Sequence, residues 1–564
     1  MIKKHIIAYI FFNLTTTIGF AQNFIPFDWQ LVYNSDTVTE KSTPINLLFS
    51  WERQGVSYLK PSGNLQTTFF VPKAKKSSDY VLEVTLLAHV ESIHINDHYI
   101  DGDFSTDFIW SATPEYKSRK FNIPAKYLKF NQENSISIQC DNYAYTGGKN
   151  HNAVKFYADS ISNSAIDIQF EPENHLFNKP SEVKFDLDIY ANTKGFAEIV
   201  IENDYHDTLL VKKLTVKKGQ QSEKINLATE NLQAGFYSIT AILKDNAYTG
   251  ATSFFTVSPT EIQAVSTQPD GYSQYWNNAL EELKTVTPKF KVERKDELST
   301  EKRDGYIVQM QSIGNVTIYG YYFTPKKKGK FPAILNLPGY GYGFENLDEF
   351  LSVQDDVIEL ALCVRGHGLS AKSFETEFPA PGFFGYEICD VNKIAYRQIF
   401  MDCIRAVDFL FTRDEVDQSK IGVMGSSQGG GLTIMTASLA AEHISACAYG
   451  DPFPTDLKNH IRIRTLIQDE LNSYLNYYDN KCTFEEGINT FDFFDTKYFA
   501  KNIQCQTLYI TGLADDDCPP RLGFSAYNDI TAPTQFKIFP NDSHIGESNW
   551  KKEMMAFFKK QFEF

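Results

Sequence analysis

The stretch IGVMGSSQGGG, residues 421–431, limits what this chain can fold into more than any other segment. An apolar run with the look of a buried strand, KIGVM, stops at a cluster of small residues, and a helix-like apolar pattern, GGGLTIMTASLAAE, follows at once. Gly425-Ser426-Ser427-Gln428-Gly429 therefore lies on a strand-to-helix turn and matches G-x-S-x-G, the nucleophile elbow. On so sharp a turn a Cβ at either glycine is expected to collide with the neighbouring strand and helix, and the serine hydroxyl is held out at the top of a sheet. Other uses of a glycine-rich turn fail on spacing. A phosphate loop needs G-x-x-x-x-G-K-[ST], and no lysine is present; a dinucleotide fingerprint needs G-x-G-x-x-G.

A nucleophilic Ser427 needs a base and an acid, in the chain order Ser, acid, His for such an elbow. After Ser427 only His443, His460 and His544 remain. His443 lies on or at the end of the helix after the elbow, and His460 precedes any plausible acid strand. His544, in FPNDSHIGES after the strand-like QFKIF, stands where the base is expected. The acid should end the preceding strand. LYITGLADDDCPP offers Asp515, Asp516 and Asp517, of which the frame G-x-x-D-x-x-x-P selects Asp515, with Asp517 as its rival. Such an acid holds the imidazole in the tautomer that accepts the serine proton. Two backbone N–H groups are expected to form the oxyanion hole: that of Gln428, just after the nucleophile, and that of Tyr340 in LPGYGYG.

The surroundings fit an α/β domain over residues 262–564. YSQYWNNALEELKTV reads as an amphipathic helix, and FPAILNLPGY, DVIELALCVRG, KIGVMG, QTLYITG and TQFKIFP read as buried strands of a mainly parallel sheet. Two all-β sandwich units precede it. Residues 22–160 alternate in short strand-like runs, with a hairpin expected at Asn96-Asp97, and they resemble the jelly-roll, galactose-binding-like modules that precede many glycosidase domains. Residues 165–258 hold about seven short strands, as an immunoglobulin-like sandwich would, and are expected to act as a spacer; His175 and His206 there are expected to be structural or surface residues. SPTEIQAVSTQPDG is polar enough for a linker. Residues 1–21 read as a signal peptide cut near Ala21, which points to a secreted or periplasmic protein without a membrane anchor. A net charge of −16 argues against nucleic acid or anionic membrane as partner. The eight cysteines are scattered, with no CxxC pair, and assign no disulfide.

Together these residues resemble the acetyl xylan esterase and cephalosporin C deacetylase family, carbohydrate esterase family 7. The matching stretches are the elbow G-x-S-Q-G-G at Gly425 to Gly430, RGHG at Arg365 to Gly368, YRQIFMDCIRAVDFL, GLADDDCPP and YSQYWNNAL. The resemblance implies an α/β-hydrolase that removes acetyl or similar small acyl groups from plant or algal oligo- or polysaccharides, with no cofactor and no metal. It also implies rings of subunits, a homo-oligomer that the two added β units put in question. Three positions depart from the family pattern: His367 stands where Gln is usual, Pro338 where the oxyanion loop has His, and Ile545 where Glu follows the terminal His. His367 is expected to serve the structure of its loop. Two other readings compete: a prolyl-oligopeptidase-type peptidase, which would need propeller repeats that residues 22–258 do not show, and a glycan-binding protein with an inactive hydrolase domain.

Overall fold

A computed structural model describes residues 23–564 except 34–40, 48–53, 55, 57–61, 72–79, 86–88, 106–107, 110–114, 117, 141–153, 159–163, 227–231, 245–247, 266, 341–342, 345–346, 348–349, 351–354, 375–384, 478, 480 and 545–549. The expected leader, its cleavage point, the boundary near residue 160 and Ile545 lie outside the described residues.

The first β unit packs a larger sheet (Lys41–Asn46, Asp28–Tyr33, Gly63–Phe70, Glu133–Cys140, His89–Ile95, His98–Asp101 in spatial order) with a three-stranded one (Arg119–Ile123, Tyr80–Val84, Val154–Ala158). Trp29, Leu31, Leu65, Leu82, Ile93, Ile138 and Phe156 fill one core with side chains from both sheets. The expected hairpin turns at Asn96 and Asp97, both at positive φ (46° and 67°), the conformation that a two-residue turn between twisted strands requires.

The second β unit has its own core, between a three-stranded sheet (Ala165–Phe170, Lys184–Ala191, Gly219–Asn226) and a five-stranded sheet containing Gly195–Asn203, Thr208–Val216, Gly235–Lys244 and Tyr248–Val257. It is more than a spacer. Phe236 belongs to the core of the following domain, 5.7 Å from the Phe524 ring, and Asp204 pairs with Arg521. The polar segment read as a linker is pinned as well: Asn528 Nδ2 donates to the carbonyls of Pro259 and Ile262 (3.0 and 2.7 Å), and Tyr498 Oη donates to that of Thr267 (2.8 Å).

The C-terminal domain is built on one nine-stranded sheet: β1 (Lys291–Arg294), β2 (Arg303–Gln311), β3 (Thr317–Pro325), β4 (Phe331–Asn336), β5 (Ile358–Cys363), β6 (Val416–Ser426), β7 (Ala446–Gly450), β8 (Gln506–Gly512) and β9 (Thr534–Phe539), in the order β1-β2-β3-β5-β4-β6-β7-β8-β9. Strands from β5 onward in that order are parallel, and β1, β2 and β3 are antiparallel. The helices that matter for the site are α1 (Tyr272–Thr285), α2 (Ala395–Phe411), α3 (Gln428–Leu439), α4 (Leu457–Ile463), α5 (Thr465–Tyr477), α6 (Pro520–Tyr527) and α7 (Trp550–Phe562). α3 is apolar all round and wholly buried but for its last residue, as befits a helix packed against the middle of the sheet. All the parallel strands end at one edge, so the loops after β4, β6, β7, β8 and β9 share one face, where ligands bind in open α/β sheets.

A disulfide joins Cys389 to Cys482, a pairing that the scattered spacing did not reveal. It ties the segment before α2 to the chain after α5. Among the described residues no helix is long and apolar enough to cross a membrane.

Candidate active site

Ser427 sits between the last residue of β6 and the first of α3, at φ 58° and ψ −127°. A non-glycine residue at positive φ is strained, and it persists only where the surroundings fix it. Four backbone hydrogen bonds do so here. Ser427 N donates to the Gly450 carbonyl (3.1 Å), and the Ser427 carbonyl accepts from the N–H groups of Gly430, Gly431 and Phe453 (2.8, 3.1 and 2.9 Å). The glycines explain how the chain closes so tightly. A Cβ on Gly425 would lie 2.6 Å from the Gly429 backbone, as the sharp turn requires. A Cβ on Gly429 would meet something else, the Leu337 carbonyl oxygen at 2.4 Å, so that glycine admits the loop after β4 rather than a neighbouring strand.

That loop carries Tyr340, whose hydroxyl donates to Glu470 Oε1 on α5 (2.6 Å) and whose ring stands edge-on to Phe453. Gln428 opens α3, so its backbone N–H is one of the first four, which have no acceptor within the helix. Its side chain is fully buried and binds three ways: Oε1 accepts from Tyr396 Oη on α2 (2.8 Å), while Nε2 donates to the Gly339 carbonyl (3.1 Å) and approaches His367 Nε2 (3.4 Å). His367 is also buried, with Nδ1 3.1 Å from the Arg365 carbonyl. These partners assign the neutral ring with its proton on Nδ1, and burial pulls the imidazole below its ordinary range, although the Arg365 carbonyl and Asp402 oppose this. His367 thus links the RGHG loop to the residue after Ser427. Arg365 anchors that loop on Asp402 of α2, through Nε to Oδ2 (2.8 Å) and Nη2 to Oδ1 (2.6 Å).

Asp515 follows β8 and is buried; His544 follows β9 and its side chain is 13% exposed. His544 Nδ1 lies 2.8 Å from Asp515 Oδ2, and Asp515 Oδ1 accepts from the N–H groups of Asp517 and Cys518 (both 2.8 Å). Asp517 stands on the other side of the ring, its Oδ2 3.5 Å from His544 Nε2, and its Oδ1 pairs with Arg464 (2.7 Å). Burial works against a charged imidazole, but Asp515 and Asp517 outweigh it and push His544 up to about 9.

Asp451, just after β7, went unnoticed in the sequence because its strand, ACAYG, is short and carries no motif. It is fully buried, and one ligand-capable atom from each of Asp451, Asp515 and His544 lies within 4.8 Å of the others. Burial, then the neighbouring Asp515, pushes Asp451 well above the carboxylate range, whereas His544 holds Asp515 below it despite burial. His460, set aside as a base, is buried with Nε2 2.8 Å from the Asp517 carbonyl, and burial lowers it to about 4. His443 lies against Phe411, ring centres 4.2 Å apart, away from these groups.

Comparison with known proteins agrees with the segment that carries this geometry. The family model described as acetyl xylan esterase (AXE1) matches residues 258–562. Acetyl esterase Axe7A of Xylanibacter ruminicola is 27% identical over 314 residues, covering 54% of this chain and 70% of that protein. Acetyl xylan esterase structures from Thermoanaerobacterium sp. and Paenibacillus sp. R4 are each 26% identical, cover 54% of this chain and 98% of theirs, and superpose with a TM-score of 0.49. The chain belongs to the acetyl xylan esterase (AXE1) family.

Proposed function

We propose that the protein is an exported carbohydrate esterase that hydrolyses acetyl or similar small acyl esters on oligo- or polysaccharides, with Ser427 as nucleophile, His544 as general acid–base and Asp515 as the group that orients it. The observation that carries this reading is the constrained positive-φ conformation of Ser427 at the β6–α3 junction, on the same sheet edge as the hydrogen-bonded His544–Asp515 pair. The Ser427 Oγ attacks the ester carbonyl carbon while His544 Nε2 takes its proton, and the backbone N–H groups of Tyr340 and Gln428 stabilise the oxyanion. The tetrahedral adduct then expels the sugar oxygen, which leaves with the proton from His544. Water, deprotonated by His544, attacks the acyl-serine; acetate departs and Ser427 recovers its proton. Asp515 stays ionised and keeps the Nδ1–H tautomer in place.

Asp515 rather than Asp517 is assigned as the acid because it meets Nδ1, buried and fixed by two backbone N–H groups, while Asp517 lies towards the nitrogen that must reach the serine. The Cys389–Cys482 disulfide supports export, since such bonds persist in oxidising compartments. We read the two β units as jelly-roll and immunoglobulin-like modules; among the described residues neither forms the blade repeats of a propeller peptidase. The test is acetate release from acetylated xylo-oligosaccharides and from an aryl acetate, by residues 22–564 and by the Ser427→Ala variant. Release from both substrates that vanishes in the variant is expected. Equal release by the variant would overturn the mechanism, and release from the aryl ester alone would exclude xylan as the substrate.

A further inference from the structure

Beyond this reading, and resting on its assignment of Asp515 and His544, we infer that the turn at residues 203–207 of the second β unit is a positioning element for the acid loop of the active site, acting through α4.

The turn joins Gly195–Asn203 to Thr208–Val216 and is rigidly built. Asn203 Oδ1 accepts from the N–H groups of Tyr205 and Asp207 (3.0 and 2.9 Å), Asp204 N donates to the Phe236 carbonyl (3.0 Å), and His206 takes positive φ, 67°. The side chains of Asp204, Tyr205 and His206 reach the hydrolase domain. Tyr205 Oη donates to Asn459 Oδ1 (2.9 Å), His206 Nε2 lies 3.0 Å from the Ile463 carbonyl, and Asp204 grips Arg521 of α6 (Nη2 to Oδ1 3.1 Å). The guanidinium groups of Arg462 and Arg521 lie 4.6 and 5.0 Å from the centre of the Tyr205 ring.

α4 needs such support. It spans seven residues, about two turns, too few for a helix to hold without partners. Its N-terminal end is fixed by Asp495, whose carboxylate accepts from the N–H groups of Asp456 and Leu457 (both 2.8 Å). Its C-terminal end leaves carbonyls without an intrahelical donor, and the His206 ring N–H supplies one at Ile463, the last residue of the helix.

From α4 the contacts lead directly to the acid. His460 Nε2 meets the Asp517 carbonyl at 2.8 Å, Arg464 Nη1 donates to the Asp516 carbonyl at 2.6 Å, and the same guanidinium pairs with Asp517. Asp517 N is one of the two backbone donors that fix the Asp515 carboxylate against His544. A displacement of α4 therefore moves the loop that presents the triad acid. Residues 203–207 lie outside the segment matched by the family, 258–562, so this support comes from a unit added in front of the esterase domain.

The test uses the full chain from residue 22 with a small aryl acetate, and counts folded active sites by burst titration with a serine-reactive phosphonate. The variant Tyr205→Phe/His206→Ala keeps the ring beside the two arginines and removes both hydrogen bonds to α4. Per titrated site, kcat is expected to fall roughly tenfold with KM little changed, short of the hundredfold that a 1 Å misplacement at a reaction centre can cost. His206→Gln, whose Nε2–H can still reach the Ile463 carbonyl, is expected to stay near wild type, as is Thr215→Ala on the exposed part of the same strand. An unchanged kcat per titrated site in the double variant would overturn the inference, even if its Tm falls, because that is what a merely structural contact gives. A fall in KM-independent rate that His206→Gln shares fully would also overturn it. If the wild-type enzyme takes no phosphonate on Ser427, it is the triad assignment that fails, and the two failures are thereby distinguished.

Discussion

Asp451 and Asp515 are two buried carboxyl groups placed side by side at the ends of adjacent parallel strands, β7 and β8. Two such groups in contact cannot both be ionised, and their environments decide which one is. Asp515 faces His544 and two backbone N–H groups; Asp451 has the Gly512 N–H, at a long 3.4 Å, and the Thr511 side chain, which burial and the neighbouring Asp515 outweigh. Asp451 therefore carries the proton and presents it to Asp515, so the proposed partner of His544 is itself held in place.

Replacing Asp451 separates this donor role from a charge role. Asp451→Asn keeps an N–H for Asp515 and should hold kcat/KM within about threefold of wild type, whereas Asp451→Ala strips a donor from a buried carboxylate, worth about 1–3 kcal/mol, and should cost roughly ten- to a hundredfold. Steady-state kinetics on an aryl acetate compares them. Equal damage by the two substitutions would contradict a donor role.

The pH profile should bear the mark of Asp517. Three charged groups set the His544 environment: Asp515 and Asp517 raise it and Arg464 lowers it, against the burial that also lowers it. The base works only when deprotonated, so kcat/KM should rise with pH along a limb whose midpoint lies above the ordinary histidine value of about 6.5. Asp517→Asn removes one of the two negative neighbours, which makes the imidazolium less stable and moves that midpoint to lower pH. A midpoint that stays put or moves upward would show that Asp517 does not act on the base.

Gln428 should matter through its side chain as well as its backbone. Gln428→Ala releases Gly339, Tyr396 and His367 together and frees the loop that presents Tyr340. A loss in kcat of about a hundredfold, with a smaller change in KM, is expected, the scale seen when one oxyanion donor is removed. Kinetics on wild type and variant reads the split; a change confined to KM would place Gln428 in substrate binding instead.

Thiol chemistry offers an independent check of the fold. Protein unfolded without reductant should show six free thiols, because Cys389 and Cys482 are joined and the other cysteines are free. The bond closes a loop of 93 residues, and Cys389→Ser/Cys482→Ser should lower stability by about 2–4 kcal/mol in urea unfolding.

Much of the candidate site was legible because the residues proposed for it sit in local sequence patterns. Gly425 to Gly429 announces a turn that only glycines allow, and the order Ser, Asp, His left His544 as the last available base. The inner parallel strands were legible because they are buried on both faces, whereas β9, read as buried, lies at the sheet edge with alternate residues exposed, and β2 and β3, antiparallel, mix polar residues and glycine (RDGYIVQMQ, TIYGYYFTP) into their runs. What stayed hidden depends on contacts between distant segments. Nothing near Asp451 says that it will lie against Asp515, and nothing in the polar turn NDYHD tells that it caps a helix some 250 residues away. The reading of the second β unit as a spacer failed for that reason.

The proposed mechanism needs Ser427 as its nucleophile, and covalent labelling reports on that residue itself. The chain from residue 22 is treated with an aryl phosphonate, digested, and mapped by mass spectrometry while esterase activity is followed. One adduct per chain is expected, on Ser427, formed in step with the loss of activity and absent from Ser427→Ala and His544→Ala. Loss of activity with the adduct on another residue, or full activity in Ser427→Ala, would contradict that mechanism.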